Sequence, residues 1–449
     1  QRRRDGWLRT WAMIRSPAVL HNDNGARKMM KKLTKRSGLV GLLAAVSINA
    51  AADDYAEARL ELVAAYQAQD FPAMVVAAER SLLARPEYPG ALFNLAFAQA
   101  LGAESAESLA TLERLLAKGI DYDVSNIDEF AAVRELPGWT AYSAGIEQLY
   151  EPIGQATVAL QLDDGQFIPE GIALDKDGNF LLGSIRKGQL IRANGEVEIL
   201  SDRAGHWSVF GMRFDEKGDL WFASAAVPQL EGVGSNTGSS GLFRIDLESG
   251  AVTREVVLPQ SDDDQVLGDL VIDGDSIYTT DSLTGALYRY GIDVDKFHTL
   301  VEPGTFGSPQ GLVFDESGDY LYVADYIGGL YRVSLTDGSR ARLQVPKDIS
   351  DHGIDGLYRY GDELIAIQNG IRPHRVVAFQ LSDDGLSVDG MRTLVANHEL
   401  FDEPTLGVLQ GDRFLFVANS HWNRFNENND LPADLSGPTI LIVSLASQD

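Results

Sequence analysis

One motif recurs six times in the second half of the chain, and it constrains the fold more than any other feature. Each copy is a short apolar strand, an Asp/Gly turn and a second apolar strand, as in Pro169–Ser184. Equivalent positions fall at 171, 211, 269, 311, 356 and 406. A repeat of about 40–50 residues built from short strands predicts a six-bladed β-propeller. One blade cannot bury its own apolar faces, whereas six closed in a ring can.

A third strand follows in four of the copies and ends in a Leu-x-Arg pattern. The four instances are Leu190-Ile-Arg192, Leu242-Phe-Arg244, Leu287-Tyr-Arg289 and Leu330-Tyr-Arg332. The strands are rich in Val, Ile, Tyr and Phe, and the turns contain Gly with Asp or Asn. These patterns place the propeller over residues 155–447.

The region before the propeller, residues 54–150, has a different composition, with Ala and Leu at helical spacing. It predicts a small all-α domain with helices at 55–66, 73–84, 90–102 and 105–118. Paired helices with small residues at their contacts resemble tetratricopeptide repeats. Two interpretations follow: a groove that binds a partner protein, or a helical cap packed on the propeller.

The first residues of the chain have the pattern of an export signal. A basic segment, an apolar run and a small-residue cleavage site predict a signal peptide at residues 29–52. Residues 1–28 lie upstream of this natural start and are interpreted as a non-native leader. The apolar run is too short to span a bilayer, so we expect a periplasmic or secreted protein that is free of the membrane after cleavage.

The composition of the chain excludes several kinds of partner and reaction. The chain has 38 Lys and Arg against 65 Asp and Glu, a net charge of −27. So acidic a protein is not expected to bind nucleic acid or anionic membranes. It has no cysteine, which excludes thiol nucleophiles and thiolate metal sites.

The loops that enter the innermost strands of a propeller meet at one end of the central channel. The residues there are Glu170, Phe210, Gly268, Gln310, Asp355 and Pro404, with Thr405 following. Carboxylate and amide oxygens are hard ligands that suit Ca²⁺, Mg²⁺ or Mn²⁺; we expect a divalent cation, Ca²⁺ first, with Mn²⁺, Mg²⁺ and Zn²⁺ as alternatives. Converging carboxylates repel each other unless a cation or a proton intervenes.

Two histidines are further candidates for catalysis. His206 and His352 precede the starts of blades two and five, and either could act as a general base near neutral pH. The alternative for each is a structural hydrogen bond in a loop.

The chain resembles a known family over residues 160–445. Four segments carry the resemblance: Pro169-Glu170-Gly171, Gly268-Asp269-Leu-Val-Ile-Asp, Pro309-Gln310-Gly311 and Ile354-Asp355-Gly356. They are similar to the senescence-marker-protein/gluconolactonase family of six-bladed propellers, with paraoxonases and strictosidine synthases as more distant relatives. Members of the family hold one divalent cation with a Glu from blade one, Asn residues from blades three and four, and an Asp from blade five.

The resemblance implies a ligand set and shows where this chain departs from it. Glu170 and Asp355 match in type, and Asp355 would also be the catalytic base. Gln310 stands where Asn is usual, and Gly268 stands where the other Asn is usual and has no side chain to offer. Asp269, beside it, is the remaining metal candidate. Asn369 and Asn419 are alternatives as ligands.

Two functions from different classes follow. The first is a divalent-metal-dependent hydrolase that opens a lactone or related ester in the propeller channel, with a small molecule as substrate. The second is a non-catalytic propeller with a degenerate metal site that binds a ligand or a partner protein. Glu170 and Asp355 favour the first, and Gly268 favours the second.

Overall fold

A computed structural model describes residues 50–202, 205–234 and 237–446. The predicted leader and nearly all of the predicted signal peptide lie outside these residues. The chain divides into two compact units between Tyr150 and Glu151, with Lys347–Ser350 grouped with the first unit. Within the described ranges, no helix is both long and apolar enough to cross a membrane.

The first unit is helical, as predicted. Its helices are α1 Ala50–Ala68, α2 Phe71–Ala84, α3 Pro89–Leu101, α4 Ser105–Ala117, α5 Ala131–Arg134 and α6 Trp139–Leu149, with 3-10 turns at Val124–Asn126 and Asp128–Phe130. Asp70 caps α2, because its carboxylate accepts a hydrogen bond from the backbone nitrogen of Ala73 at 3.1 Å. Phe93 and Tyr122 stack at 4.5 Å between ring centroids, beside the fully buried Phe130. The similarity to tetratricopeptide repeats and the role of this unit stay predictions.

The second unit is a six-bladed β-propeller, which confirms the predicted fold. Blade one contains β2 Pro169–Leu174, β3 Phe180–Ser184, β4 Gln189–Ala193 and β5 Val197–Asp202. Blade two contains β6 Ser208–Phe214, β7 Leu220–Ala225, β8 Ser240–Ile245 and β9 Val252–Val257. Blade three contains β10 Leu267–Asp273, β11 Ser276–Asp281, β12 Ala286–Gly291 and β13 Lys296–Val301. Blade four contains β14 Pro309–Phe314, β15 Tyr320–Asp325, β16 Gly329–Ser334 and β17 Arg340–Arg342. Blade five contains β18 Ile354–Tyr360, β19 Glu363–Gln368, β20 Arg375–Leu381 and β21 Val388–Ala396. Blade six contains β22 Gly407–Gln410, β23 Arg413–Val417 and β24 Thr439–Ser444, together with β1 Thr157–Gln161. Each sheet is antiparallel, with neighbouring strands joined in sequence order except where the ring closes.

The ring closes in blade six. There the first strand of the propeller, β1, pairs with the last, β24, with Thr157 opposite Ile442. The outermost position of this blade is therefore filled by the amino-terminal end of the unit, and the other three strands come from its carboxyl-terminal end.

The Leu-x-Arg pattern marks the third strand of blades one to four, as predicted. Three of its arginines form ion pairs with an aspartate in or beside the turn between the first two strands. The pairs are Arg192 with Asp175 at 3.2 Å, Arg244 with Asp219 at 2.9 Å and Arg332 with Asp315 at 2.8 Å. In blade three, Arg289 donates instead to the hydroxyl of Ser276. The repeated arginine thus ties the third strand to the hairpin before it.

In blades one, two and four the innermost strands approach the next blade so closely that the motif position requires glycine. A Cβ on Gly171, Gly211 or Gly311 would lie less than 3.0 Å from backbone atoms of the next blade, a separation that real Cβ atoms do not show. None of the three has a positive φ. Glycine is therefore present for close packing rather than for backbone conformation.

A second local feature presents the motif residues to the channel. In each of blades one to five, the register between the first and second strands shifts at the motif, for example between Pro169 and Ile172. Such a shift leaves the intervening residues outside the regular ladder and re-aims their side chains. In blade six, Gly407 pairs with Phe416 as Ile172 pairs with Leu182 in blade one. Thr405, rather than Pro404, therefore occupies the position of Glu170.

Candidate functional site

Six residues, one from each blade, occupy equivalent positions at the start of the innermost strands. We call them the channel ring: Glu170, Phe210, Gly268, Gln310, Asp355 and Thr405. Those of blades six, one and two are buried, whereas those of blades three, four and five keep partial solvent exposure. One half of the ring is thus covered and the other half is accessible.

The cover comes from the long connection between β23 and β24, residues 418–438, which we call the blade-six strap. Trp422 on the strap packs against the apolar cluster that contains Ile168 and Phe210. The side chain of Gln166 donates to the carbonyl of Pro432 at 2.9 Å, and that of Gln229 donates to Asn429 at 3.2 Å. The strap is therefore fixed to blades one and two.

Glu170 lies under the strap and is held by it. The indole nitrogen of Trp422 donates to Oε2 of Glu170 at 2.7 Å. Burial raises the pKa of Glu170 well above its usual range, and the charges of Asp355, Glu403 and Asp269 raise it further. This contact joins positions 252 residues apart, for which no local sequence pattern gives a signal.

Asp355 is the second carboxylate of the ring. The amide nitrogen of Asn369 donates to its Oδ2 at 2.6 Å and also to the carbonyl of Pro404. The amide oxygen of Asn369 accepts from the hydroxyl of Tyr326 at 3.0 Å, which fixes the NH₂ group toward Asp355. Burial raises the pKa of Asp355 to about 7, with a contribution from Asp269. Asn369 thus orients Asp355 and directs its own oxygen elsewhere.

Asp269 has a different environment from the two ring carboxylates. Its Oδ1 accepts from the backbone nitrogen of Leu270 at 2.9 Å, and its Oδ2 pairs with Arg213 at 3.3 Å. Burial raises the pKa of Asp269, and Arg213 opposes that effect. Both oxygens are engaged by protein donors, so the contacts of Asp269 are those of a brace between blades two and three.

Gln310 and Gly268 form the accessible side of the ring. The amide nitrogen of Gln310 donates to Ser308 at 3.0 Å, so its Oε1 is turned the other way. A Cβ built on Gly268 would lie 3.6 Å from that Oε1. The oxygen of Gln310 therefore faces the space where the side chain of residue 268 would be.

Blade six contributes two groups that the sequence did not single out as ligands or acids. Thr405 is fully buried, and its hydroxyl has no hydrogen-bond partner among the described residues. Glu403 accepts from the backbone nitrogen of Asn423 at 2.7 Å. Burial raises the pKa of Glu403 to about 7, and Asp355 and Asp402 contribute. Both residues lie at the last copy of the motif, where the sequence left open whether Pro404 or Thr405 is equivalent to Glu170.

The two candidate histidines lie in the walls of their blades. His206 is within 2.9 Å of the Ser201 hydroxyl, and its ring meets the edge of Phe222 at 5.1 Å between centroids. His352 lies beside Asp351, 3.4 Å from Nδ1 to Oδ1, and Asp351 is paired with Arg342. These contacts are structural in kind, and a catalytic role for either histidine stays a prediction.

Asn419, the other alternative ligand, is part of the framework. Its Oδ1 accepts from the backbone nitrogen of Thr439 at 2.7 Å, and its amide donates to the carbonyl of Gly437. In the described part of the chain, no group of three or more His, Asp or Glu side chains is arranged to hold a metal ion. A cation at the ring would therefore depend on amide or hydroxyl oxygens in addition to two carboxylates.

Comparison with known proteins finds only distant structural similarity. No protein-family model and no curated protein matches the chain. Among solved structures, virginiamycin B lyase from Staphylococcus aureus has 14% identity and a TM-score of 0.45 over 65% of this chain and 99% of its own. The PQQ-bound aldose sugar dehydrogenase from Streptomyces coelicolor has 14% identity and a TM-score of 0.46 over 66% and 99%. A luciferin-regenerating enzyme has 12% identity and a TM-score of 0.46 over 66% and 95%.

All three neighbours are named as enzymes. Their names describe three different kinds of enzyme, and the sequence identity is low. A similarity this distant carries no conclusion about the reaction of this chain.

Proposed function

We propose that the propeller is a divalent-cation-dependent hydrolase that opens a lactone or related ester at the channel ring. The observation that carries this proposal is the pair Glu170 and Asp355. They come from blades one and five, interact electrostatically, and are each held through one oxygen by a fixed donor, Trp422 or Asn369. This arrangement leaves the second oxygen of each carboxylate for a ligand.

The residues of the ring fit a hard cation. We propose Glu170, Asp355, the amide oxygen of Gln310 and the hydroxyl of Thr405 as its ligands, all of them oxygens of the kind that Ca²⁺ prefers. The buried Thr405 hydroxyl, which has no partner in the described chain, supports this set because an unsatisfied buried hydroxyl is costly. The set omits Asp269, since Leu270 and Arg213 already engage its two oxygens. A bound divalent cation would polarise the ester carbonyl and increase the acidity of water.

The protein's own contribution is proton transfer and positioning. Asp355 accepts a proton from a water molecule as its oxygen adds to the carbonyl carbon of the substrate. The same proton passes to the ring oxygen as the carbon–oxygen bond breaks, which gives a hydroxy acid. Asn369 keeps the carboxylate of Asp355 in one orientation during both transfers, since its own amide is fixed by Tyr326.

The blade-six strap covers one side of the reaction. It places Trp422 on Glu170 and buries Phe210, so water and substrate reach the ring from the side of blades three to five. Exclusion of water strengthens the electrostatic interactions within such a site.

The test compares wild type with Asp355→Asn on a panel of small lactones and aryl esters, with Ca²⁺, Mn²⁺, Mg²⁺ or Zn²⁺ added to chelator-treated protein. Loss of the general base is expected to lower kcat by about 10²–10⁴-fold. Asp389→Asn, on the exposed face of β21, is the matched control and should retain full activity. Equal rates in wild type and Asp355→Asn would show that this site does not catalyse the reaction.

The second candidate function is ligand binding without turnover, and Gly268 favours it because it offers no side chain where the family resemblance implies a ligand. Elemental analysis of the purified protein separates the two candidates. A wild-type protein that binds no divalent cation and turns over no lactone or ester would be assigned to the binding class.

A further inference from the structure

Gly268 differs from the other glycines near the channel axis. For Gly171, Gly211 and Gly311 a Cβ would collide with the neighbouring blade, whereas for Gly268 its nearest neighbours would be Gln310 Oε1 at 3.6 Å and Thr280 Oγ1 at 3.7 Å. These are ordinary van der Waals distances, and Gly268 does not have a positive φ. Neither packing nor backbone conformation therefore requires glycine here, and the missing side chain leaves a recess.

Hydrogen-bond acceptors line this recess. The amide nitrogen of Gln310 is bound to Ser308, so the atom that faces the recess is its oxygen. The hydroxyl of Thr280 donates its proton to the backbone carbonyl of Gln310 at 2.8 Å and accepts from the backbone nitrogen of Asp269 at 3.5 Å, so one of the two lone pairs of its oxygen remains available. Gly268 and Gln310 keep partial solvent exposure, which shows that the recess opens to the accessible side of the ring.

We infer that the recess at Gly268 is a subsite for a neutral hydrogen-bond-donating substituent, a hydroxyl or an amide N–H, next to the reacting carbonyl of the substrate. The inference rests on the proposed function and adds the kind of substrate. An apolar substituent would offer no donor to the lone pair that remains on Gln310 Oε1 beside the proposed cation, or to the one that remains on Thr280 Oγ1. An ammonium group would be repelled by the divalent cation proposed at the same ring.

The turnover test uses γ-butyrolactone and its α-hydroxy and α-acetamido derivatives. Wild type is expected to favour a derivative over the parent by about 3- to 10-fold in kcat/KM, the value of one added neutral hydrogen bond. The two derivatives distinguish a hydroxyl from an amide donor. In Gly268→Ala the methyl group fills the recess, and the preference should fall to about 1. Gly390→Ala, which adds a methyl group in open space on β21, should retain it.

A binding measurement separates this inference from the proposed hydrolysis. The lactams 2-pyrrolidinone and 3-hydroxy-2-pyrrolidinone have the same ring shape and resist hydrolysis, so calorimetric titration reports the subsite alone. Tighter binding of the hydroxylated lactam to wild type, lost in Gly268→Ala, would support the subsite even if no lactone is turned over. Equal affinities of wild type and Gly268→Ala for it, or no binding of either lactam, would overturn the subsite whatever the turnover shows.

Discussion

Trp422 and Glu170 are joined by a 2.7 Å hydrogen bond from the indole nitrogen to Oε2. The donor belongs to the strap of blade six and the acceptor to the first inner strand of blade one. The orientation of a ring carboxylate is therefore set by the last blade of the propeller, on the side where the strap covers the channel.

Trp422→Phe removes this donor and keeps an aromatic ring on the apolar cluster. Loss of one hydrogen bond to a charged group costs about 1.5–3 kcal/mol, so we expect kcat for lactone opening to fall by about 10- to 100-fold. Steady-state kinetics with circular dichroism of the folded protein would check this. Trp139→Phe, in the helical unit, is the control, and an equal effect in both variants would contradict the prediction.

Thr405→Val tests whether blade six supplies a ligand to the proposed cation. In the cation-free protein the change removes a buried hydroxyl without a partner in the described chain, so stability should rise by up to about 1–3 kcal/mol. The rise in Tm on adding Ca²⁺ should at the same time become smaller, because a ligand that binds the native state more weakly stabilises it less. Thermal unfolding with Ca²⁺ and with chelator measures both. Thr405→Ser retains the hydroxyl and should respond to Ca²⁺ as wild type does; the same response in the valine variant would exclude Thr405 as a ligand.

Gly311→Ala and Gly268→Ala make the same chemical change in adjacent blades with different expected results. The methyl group at 311 would collide with the backbone of Asp355 and Leu357, so we expect destabilisation by about 1–3 kcal/mol or more. At 268 the nearest atom is 3.6 Å away, and stability should change little. Urea unfolding of both variants would check the contrast. Similar losses at the two positions would show that the recess is absent.

Asp402 gives a pH dependence whose sign is fixed. Although burial raises its pKa, hydrogen bonds from His421, Arg424 and Asn423 hold the pKa of Asp402 well below its usual range. A carboxylate with a depressed native pKa contributes stability above its unfolded pKa of about 3.9 and loses it as the pH falls toward the native pKa. Asp402→Asn should therefore cost about 1.5–3 kcal/mol at pH 7 and progressively less below about pH 4.

Urea unfolding of wild type and Asp402→Asn at pH 7, 5 and 3 measures this difference. Asp389→Asn, an exposed aspartate on β21, should show no comparable difference at any of these pH values. A loss of stability that stays constant from pH 7 to pH 3 would mean that the charge of Asp402 does not stabilise the strap.

The repeated motif was enough to predict the propeller because it carries physical requirements that recur. In blades one, two and four the close approach of the inner strands demands the glycine, and in the same blades the ion pair from the third strand explains the arginine of the Leu-x-Arg pattern. The outermost strands were not predicted as a fourth element. They are largely exposed, as in β9, where partly buried and exposed positions alternate, or short, as in β17 with three residues, so their patterns are weaker.

Within the candidate site, the sequence identified only the positions that the motif itself carries. Glu170, Gln310 and Asp355 could be named from their place in the repeat, and the structure puts them at equivalent positions. Trp422 and Asn369, which orient the two carboxylates, act through contacts that no repeat encodes. In blade six the motif lacks its glycine, and only strand register assigns the ring position to Thr405.

The pairing of β1 with β24 has a consequence for how the protein is made. The first strand of the propeller emerges from the ribosome long before its partner, and until β24 follows it presents an unpaired edge. Pairing between such distant segments is slow and leaves the growing chain exposed to aggregation. A polypeptide released from the ribosome between Trp422 and the end of the blade-six strap would contain every residue of the channel ring and Trp422, yet have no closed ring to hold them together.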